Sequence, residues 1–161
     1  LPISRDDLRK VMANFATGVT VVTTAYGDEL RGMTANAVSS VSLDPPLVLV
    51  CIDKSARTHE LVARRGAFAI NILTDRQEHL SRLFASKEID EARRLATVPY
   101  TLSARGLPLL EGCLAHIECE VYAIFEAGDH SIFVGQVEGF SLGNGCPLIF
   151  FRSKYTRIVD C

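Results

Sequence analysis

Two long runs, Cys113 to Phe125 and His130 to Leu142, meet at Gly128-Asp129 and constrain the fold more than any other feature of the chain. In the first, Cys113, Ala115, Ile117, Cys119, Val121, Ala123 and Phe125 alternate with a second set that includes His116, Glu118 and Glu120. A polarity that repeats every second residue fits a half-buried strand and no helix. A Gly-Asp pair between two such runs supplies a hairpin turn.

The rest of the chain is strand-rich too. Val19 to Tyr26 is dense in Val and Thr, Gly27-Asp28 provides a turn, and Leu30 to Leu43 covers two further strand segments. Leu47 to Ile52, after Asp44-Pro-Pro, is apolar on both faces and reads as a central, doubly covered strand. Ala67 to Leu73 and Leu148 to Phe151 complete the set. Helical spacing occurs at Leu8, Val11, Met12 and Phe15 behind a Ser4/Asp7 capping pattern, and again from Ala56 to Arg65, entered through Ser55 and Thr58 and closed by Gly66. A third helix runs from an Asp75 cap through Phe84. Ser86 to Val98 is a charged surface excursion with a helical turn around Asp90 to Leu95. Strands and helices do not alternate as in a doubly wound sheet, so a closed or nearly closed antiparallel barrel is expected.

One domain accommodates the 161 residues, with no repeat or linker to divide residues 1–161. A net charge of -2 without a basic block argues against nucleic acid or anionic membrane as the main partner. No apolar run is long enough to span a bilayer and no signal-peptide pattern opens the chain, although it begins at Leu. Five cysteines without a CxxC pair read as reduced thiols of a cytoplasmic protein, and no His/Cys spacing suggests a metal.

Three places bear on chemistry. From Arg31 to Pro46, small and hydroxylated residues crowd a region between strands where bulky core residues would be expected. Such a run lets backbone approach a flat heteroaromatic ligand while offering N–H, hydroxyl and amide groups, and turn chemistry also accounts for much of it. Lys54-Ser-Ala-Arg-Thr58 sets two hydroxyls and two cations at a helix N-terminus, suited to a terminal phosphate or simply to capping. Gly128-Asp129-His130 places an imidazole at the start of a strand, where it can meet a ligand at the barrel rim or stand in solvent. GxGxxG is absent, so a nicotinamide cofactor would not be held by the Rossmann device.

Taken together, Phe15-Ala-Thr-Gly-Val-Thr-Val-Val-Thr-Thr24, Gly32-Met-Thr-Ala-Asn36, Ser40-Val-Ser-Leu-Asp-Pro-Pro-Leu-Val48, Phe68-Ala-Ile-Asn-Ile-Leu73, Leu80-Ser-x-x-Phe-Ala85, Gly128-Asp-His130 and Pro147-Leu-Ile-Phe-Phe through Tyr155 resemble the short-chain flavin reductases, the NAD(P)H:flavin oxidoreductase components of two-component monooxygenases. The resemblance implies a mainly β, Greek-key, FMN-binding split β-barrel with a few flanking helices, working as a homodimer. It implies FMN or FAD as flavin, NADH or NADPH as hydride donor, and an oxygenase partner that receives reduced flavin. By position it implies that Thr34, Ala35 and Asn36 line the isoalloxazine edge and that Ser40 and Ser42 lie on the ribityl and phosphate side. Cys51, Ile52 and Asp53 would flank the ring, Ser55, Arg57 and Thr58 would hold phosphate, and Phe84 and Ala85 would close the pocket. His130 would be the catalytic, nicotinamide-side residue with Tyr155 as neighbour. Val38 and Ser39 depart from the family pattern, as does the segment Ser86 to Val98, and leave FMN and FAD both open. Same-fold enzymes that reduce a ferric chelate or a cobalt corrinoid, and a non-catalytic FMN carrier, are the alternatives.

Overall fold

The computed structural model describes residues 2–161. Helix α1 (Arg5–Met12) begins where the Ser4 hydroxyl accepts from the Asp7 N–H, satisfying one of the free amides of the first turn. Strands β1 (Thr17–Gly18), β2 (Thr20–Tyr26), β3 (Glu29–Ala35), β4 (Val38–Leu43) and β5 (Pro46–Asp53) follow, then α2 (Arg57–Arg65), β6 (Ala67–Ile72) and α3 (Glu78–Ala85). The short α4 (Glu91–Arg94) runs into a 3-10 turn, Leu95–Thr97, and the chain ends with β7 (Tyr100–Leu102), β8 (Pro108–Leu110), β9 (Ala115–Ala127), β10 (His130–Leu142), β11 (Ile149–Phe151) and β12 (Lys154–Thr156).

Seven strands form one antiparallel sheet in the order β3-β2-β6-β9-β10-β5-β4. Its two edges, β3 and β4, are consecutive in the chain and separated only by Asn36 and Ala37. A sheet whose opposite edges are tied by so short a link must curl until they approach, yet β3 and β4 do not pair. The barrel is therefore split, with Asn36-Ala37 at the seam. Inside it pack Val22, Val50, Ile52, Phe68, Ile70 and Phe133, all fully buried.

Asn71 is buried in this wall, donating to the Val21 carbonyl (2.9 Å) and the Thr23 hydroxyl (3.0 Å) and accepting from the Leu110 N–H (2.9 Å). It fixes the β7–β8 hairpin to the barrel. A second cluster, with Val19, Val21, Leu73, Leu80, Phe84 and Leu95, fills the space under α3 and the 3-10 turn. The small sheet β1-β11-β12 joins the start of the chain to its end, reinforced by the Arg152 N–H donating to the Ala13 carbonyl (2.8 Å).

The structure corrects several expectations. The alternation of the β9 run breaks where Val134 and Gly135 face Ala123 and Val121, which leaves Tyr122 as an extra residue. This bulge reverses the pleat, so Val121 packs on the core while Phe125 is 56% exposed. Strand β5 is buried on one face only, since Leu49 and Cys51 look onto a cavity. Ala56 and Gln77, rather than Ser55, Thr58 or Asp75, occupy the N-cap positions of α2 and α3. Arg94 in the 86–98 segment is buried, with its guanidinium donating to the carbonyls of Phe84, Ser86 and Ile89, so part of that excursion is core. Finally, Cys146 and Cys161 form a disulfide, their Cα atoms 5.8 Å apart, because the tail folds back beside the 143–147 loop. Among the described residues, Cys51, Cys113 and Cys119 are the free thiols.

Candidate active site

At the seam lies a cavity of about 660 Å³, within the range that takes a cofactor-sized ligand. Asn36, Ala37, Val38 and Ser39 form one wall, Leu49 and Cys51 the floor, and Met12 and Phe15 to Gly18 the opposite wall, with Thr20 and Ile72 below. Narrow residues (Ala16, Gly18, Ala37) leave room for a planar group. Thr17 contributes to this wall, with its hydroxyl buried and without a hydrogen-bond partner.

The floor continues toward the barrel rim. Across β5 and β10, Leu49 faces Val134, Cys51 faces Ile132 and Asp53 faces His130, and residues directly opposite share a face of the sheet. His130 thus stands one pleat beyond Cys51, about 7 Å along the strand. Its Nδ1 contacts the Asp129 carboxylate at 2.7 Å, an interaction that holds the Asp129 carboxyl below its usual value. Asp53 accepts from the N–H (2.8 Å) and hydroxyl (2.7 Å) of Ser55, which likewise lowers its pKa and bends the chain into α2. Slot, rim and α2 N-terminus therefore follow one another along a single strand and its continuation.

Of the residues expected at the site, Asn36 and Cys51 line the cavity, while Asp53 and His130 pair across β5 and β10 one pleat beyond Cys51, with Ser55 bonded to Asp53. Others are spent on structure. Ala35 and Ile52 are buried in the barrel core, and Phe84 is buried under β3, where Gly32 leaves room for its ring. Thr34 donates to the Ser81 carbonyl (2.6 Å), Ser40 and Ser42 flank a bulge on edge strand β4, and Ala85 is exposed. Tyr155 pairs its hydroxyl with that of Ser81 (2.6 Å) and packs on Phe150, beside α3 rather than beside His130.

The phosphate cluster is the least as expected. Arg57 holds Glu29 through two nitrogens (2.6 and 3.2 Å) and also Glu60, which raises its pKa and lowers that of Glu29, while Lys54 pairs with Glu126 at 3.7 Å. Both cations already face carboxylates. Thr58 is buried with an unpartnered hydroxyl.

Sequence reasoning gave no ligand-binding role to Met12, Phe15, Ala16, Thr17, Gly18 or Leu49, yet all line the slot. The available signal was Phe15-Ala-Thr-Gly18, two small residues and a hydroxyl just ahead of a core strand.

Comparison with known proteins fits this geometry. Residues 12–159 match the family described as flavin reductase like domain. An NADH-dependent flavin reductase of a Rhodococcus species is 44% identical over 156 residues, spanning 94% of this chain and 85% of that protein. The reductase subunit HsaB of a flavin-dependent monooxygenase from Mycobacterium tuberculosis is 38% identical, spanning 93% and 80%. Among solved structures, the flavin reductase component of a bacterial two-component tryptophan halogenase superposes with a TM-score of 0.91 at 37% identity over 98% of this chain and all of that one. A Streptomyces globisporus NADH:FAD oxidoreductase, solved with NAD and FAD fragments, gives 0.91 at 40% identity over 98% and 94%. With a split barrel, a slot at its seam and this similarity along nearly its whole length, the chain belongs to the flavin reductase-like family.

Proposed function

We propose that this chain is an NAD(P)H:flavin oxidoreductase, a single domain over residues 1–161 whose seam cavity receives the isoalloxazine of FMN or FAD. The observation that carries the reading is the cavity itself, cofactor-sized, at the seam of the barrel, and lined by Leu49 and Cys51, by small residues and by Asn36. The residues lining the cavity would hold the isoalloxazine there, where it would supply a hydride acceptor for the nicotinamide and, after reduction, reducing equivalents for an oxygenase partner.

The protein supplies placement. Asn36 offers hydrogen bonds to the edge of the ring, and the apolar floor excludes water from one face. His130, with Nδ1 engaged by Asp129, keeps Nε2 for the carboxamide or ribose of the nicotinamide and orients it rather than transferring a proton. No side chain acts as a nucleophile.

The working form is a homodimer in the cytoplasm. Leu8, Val11, Met12 and Phe15 are more than half exposed along α1 and its exit, and Phe125, Phe140 and Leu142 are exposed on the long hairpin. Apolar surface of this extent beside a cavity fits a second copy. Among the described residues no helix is long and apolar enough to cross a membrane.

The decisive experiment mixes the purified protein anaerobically with NADH and excess FMN or FAD. Bleaching of both chromophores is expected. Loss of neither, with flavin bound, would leave an FMN carrier, and turnover of only a ferric chelate or a corrinoid would name a different acceptor.

A further inference from the structure

The N-terminus of α2 is held by an anion from within the chain. The Arg57 N–H, the first of the helix, donates to the Glu91 carboxylate (Oε2, 3.3 Å), which arrives from α4, 34 residues away. The cap residue is Ala56, no side chain caps the helix, and the acidic residue of the first turn, Glu60, is bound to Arg57 and Arg64. In the same turn Thr58 is 1% exposed and its buried hydroxyl has no partner, although an unsatisfied buried hydroxyl is costly. The neighbouring cations, Arg57 and Lys54, are bound to Glu29, Glu60 and Glu126. An N-terminal helix turn favours negative charge, and here the protein provides the charge itself, in a turn that also holds an unpartnered buried hydroxyl.

We infer that Glu91 is a resident stand-in for phosphate, a specificity-determining residue that the terminal phosphate of a flavin must displace from α2 and that a phosphate-free flavin leaves in place. The inference rests on the flavin-slot reading, because the slot floor leads through Asp53 to this turn. Binding of a phosphate at α2 frees Glu91, brings the Thr58 hydroxyl a partner and loosens the 86–98 segment. Riboflavin does none of these. The preference of the protein for FMN over riboflavin is accordingly held down by Glu91.

Titrating riboflavin and FMN separately into the full chain, followed by quenching of flavin fluorescence, gives the ratio of their affinities. In Glu91→Gln and Glu91→Ala this ratio is expected to shift toward FMN by roughly tenfold, the scale of one hydrogen bond to a charged group. In Thr58→Val, which exchanges the hydroxyl for a methyl of the same shape, it should shift the other way. Hydrogen exchange in residues 86–98 should rise with FMN and stay as it is with riboflavin. Unchanged ratios in all three variants, with both flavins bound, would overturn the role of Glu91 while leaving the slot intact. Binding of neither flavin by the wild-type chain would remove the slot reading and this inference with it.

Discussion

His130 stands at the rim of the slot with one ring nitrogen held by Asp129. His130→Ala should raise the Michaelis constant for NADH or slow hydride transfer several-fold, the effect of one lost hydrogen bond worth about 0.5–1.5 kcal/mol, with flavin affinity little changed. Steady-state kinetics across neutral pH, beside a flavin titration, separates this from general-acid catalysis, which would show as a pH-dependent collapse of turnover. The three free thiols give a second test. Burial pushes Cys113 up to about 11 and Cys119 up to about 12 from the usual thiol value of 9.0; it raises Cys51 as well, but that thiol alone of the three lines the cavity. A thiol reagent at mildly alkaline pH should therefore modify Cys51 first, and saturating flavin should protect it. Because the folded-state values of Cys113 and Cys119 are raised, the unfolded chain loses these protons first, and stability should drain away as pH climbs from 9.0 toward 11–12. Urea melts at neutral and strongly alkaline pH measure it. The residues named for the slot from sequence were those whose type suits a ligand, and type alone cannot distinguish an Asn36 facing a cavity from a Thr34 bonded to Ser81.

At the level of strands and helices, glycines mark where backbone or side chains come too close for a Cβ. A Cβ on Gly135 would sit 2.6 Å from Cys119 Cβ and 2.7 Å from the Phe68 ring, beside the β9 bulge. Gly135→Ala should destabilise the fold by about 1–3 kcal/mol. At Gly143 the obstacle is the Cys113 carbonyl oxygen, which no rotamer change relieves, so Gly143→Ala should cost more. Chemical denaturation of both variants ranks them. Strands β2 to β6, β9, β10 and β11, together with α1 and α2, were legible because period-2 and period-3.6 patterns are local properties. The bulge at Tyr122 was not, since one extra residue reverses the pleat without changing composition. Hairpin β7–β8 is held by the distant Asn71, and the Glu91 contact spans α4 to α2, so neither leaves a trace in its own stretch of sequence.

Across the molecule, the apolar faces of α1 and of the long hairpin predict a dimer, and sedimentation showing a flavin-binding monomer at micromolar concentration would exclude it. The Cys146–Cys161 bond closes a loop with a sequence separation of 15 residues, which in the chain-entropy picture adds about 3 kcal/mol. Reductant should lower the melting temperature, and Cys161→Ser should reproduce the loss without it. The barrel could be anticipated from the missing βα alternation, but its seam could not, because the opening depends on where two sheet edges stop short of each other. One wall of the slot is β1, and β1 pairs with β11, so Thr17 lies against Phe150. During vectorial synthesis, then, a nascent chain can lay down α1 and most of the barrel and still possess no finished slot. The wall waits in an unpaired state until Phe151 has left the ribosome, so the complete slot is among the last features of the molecule to form.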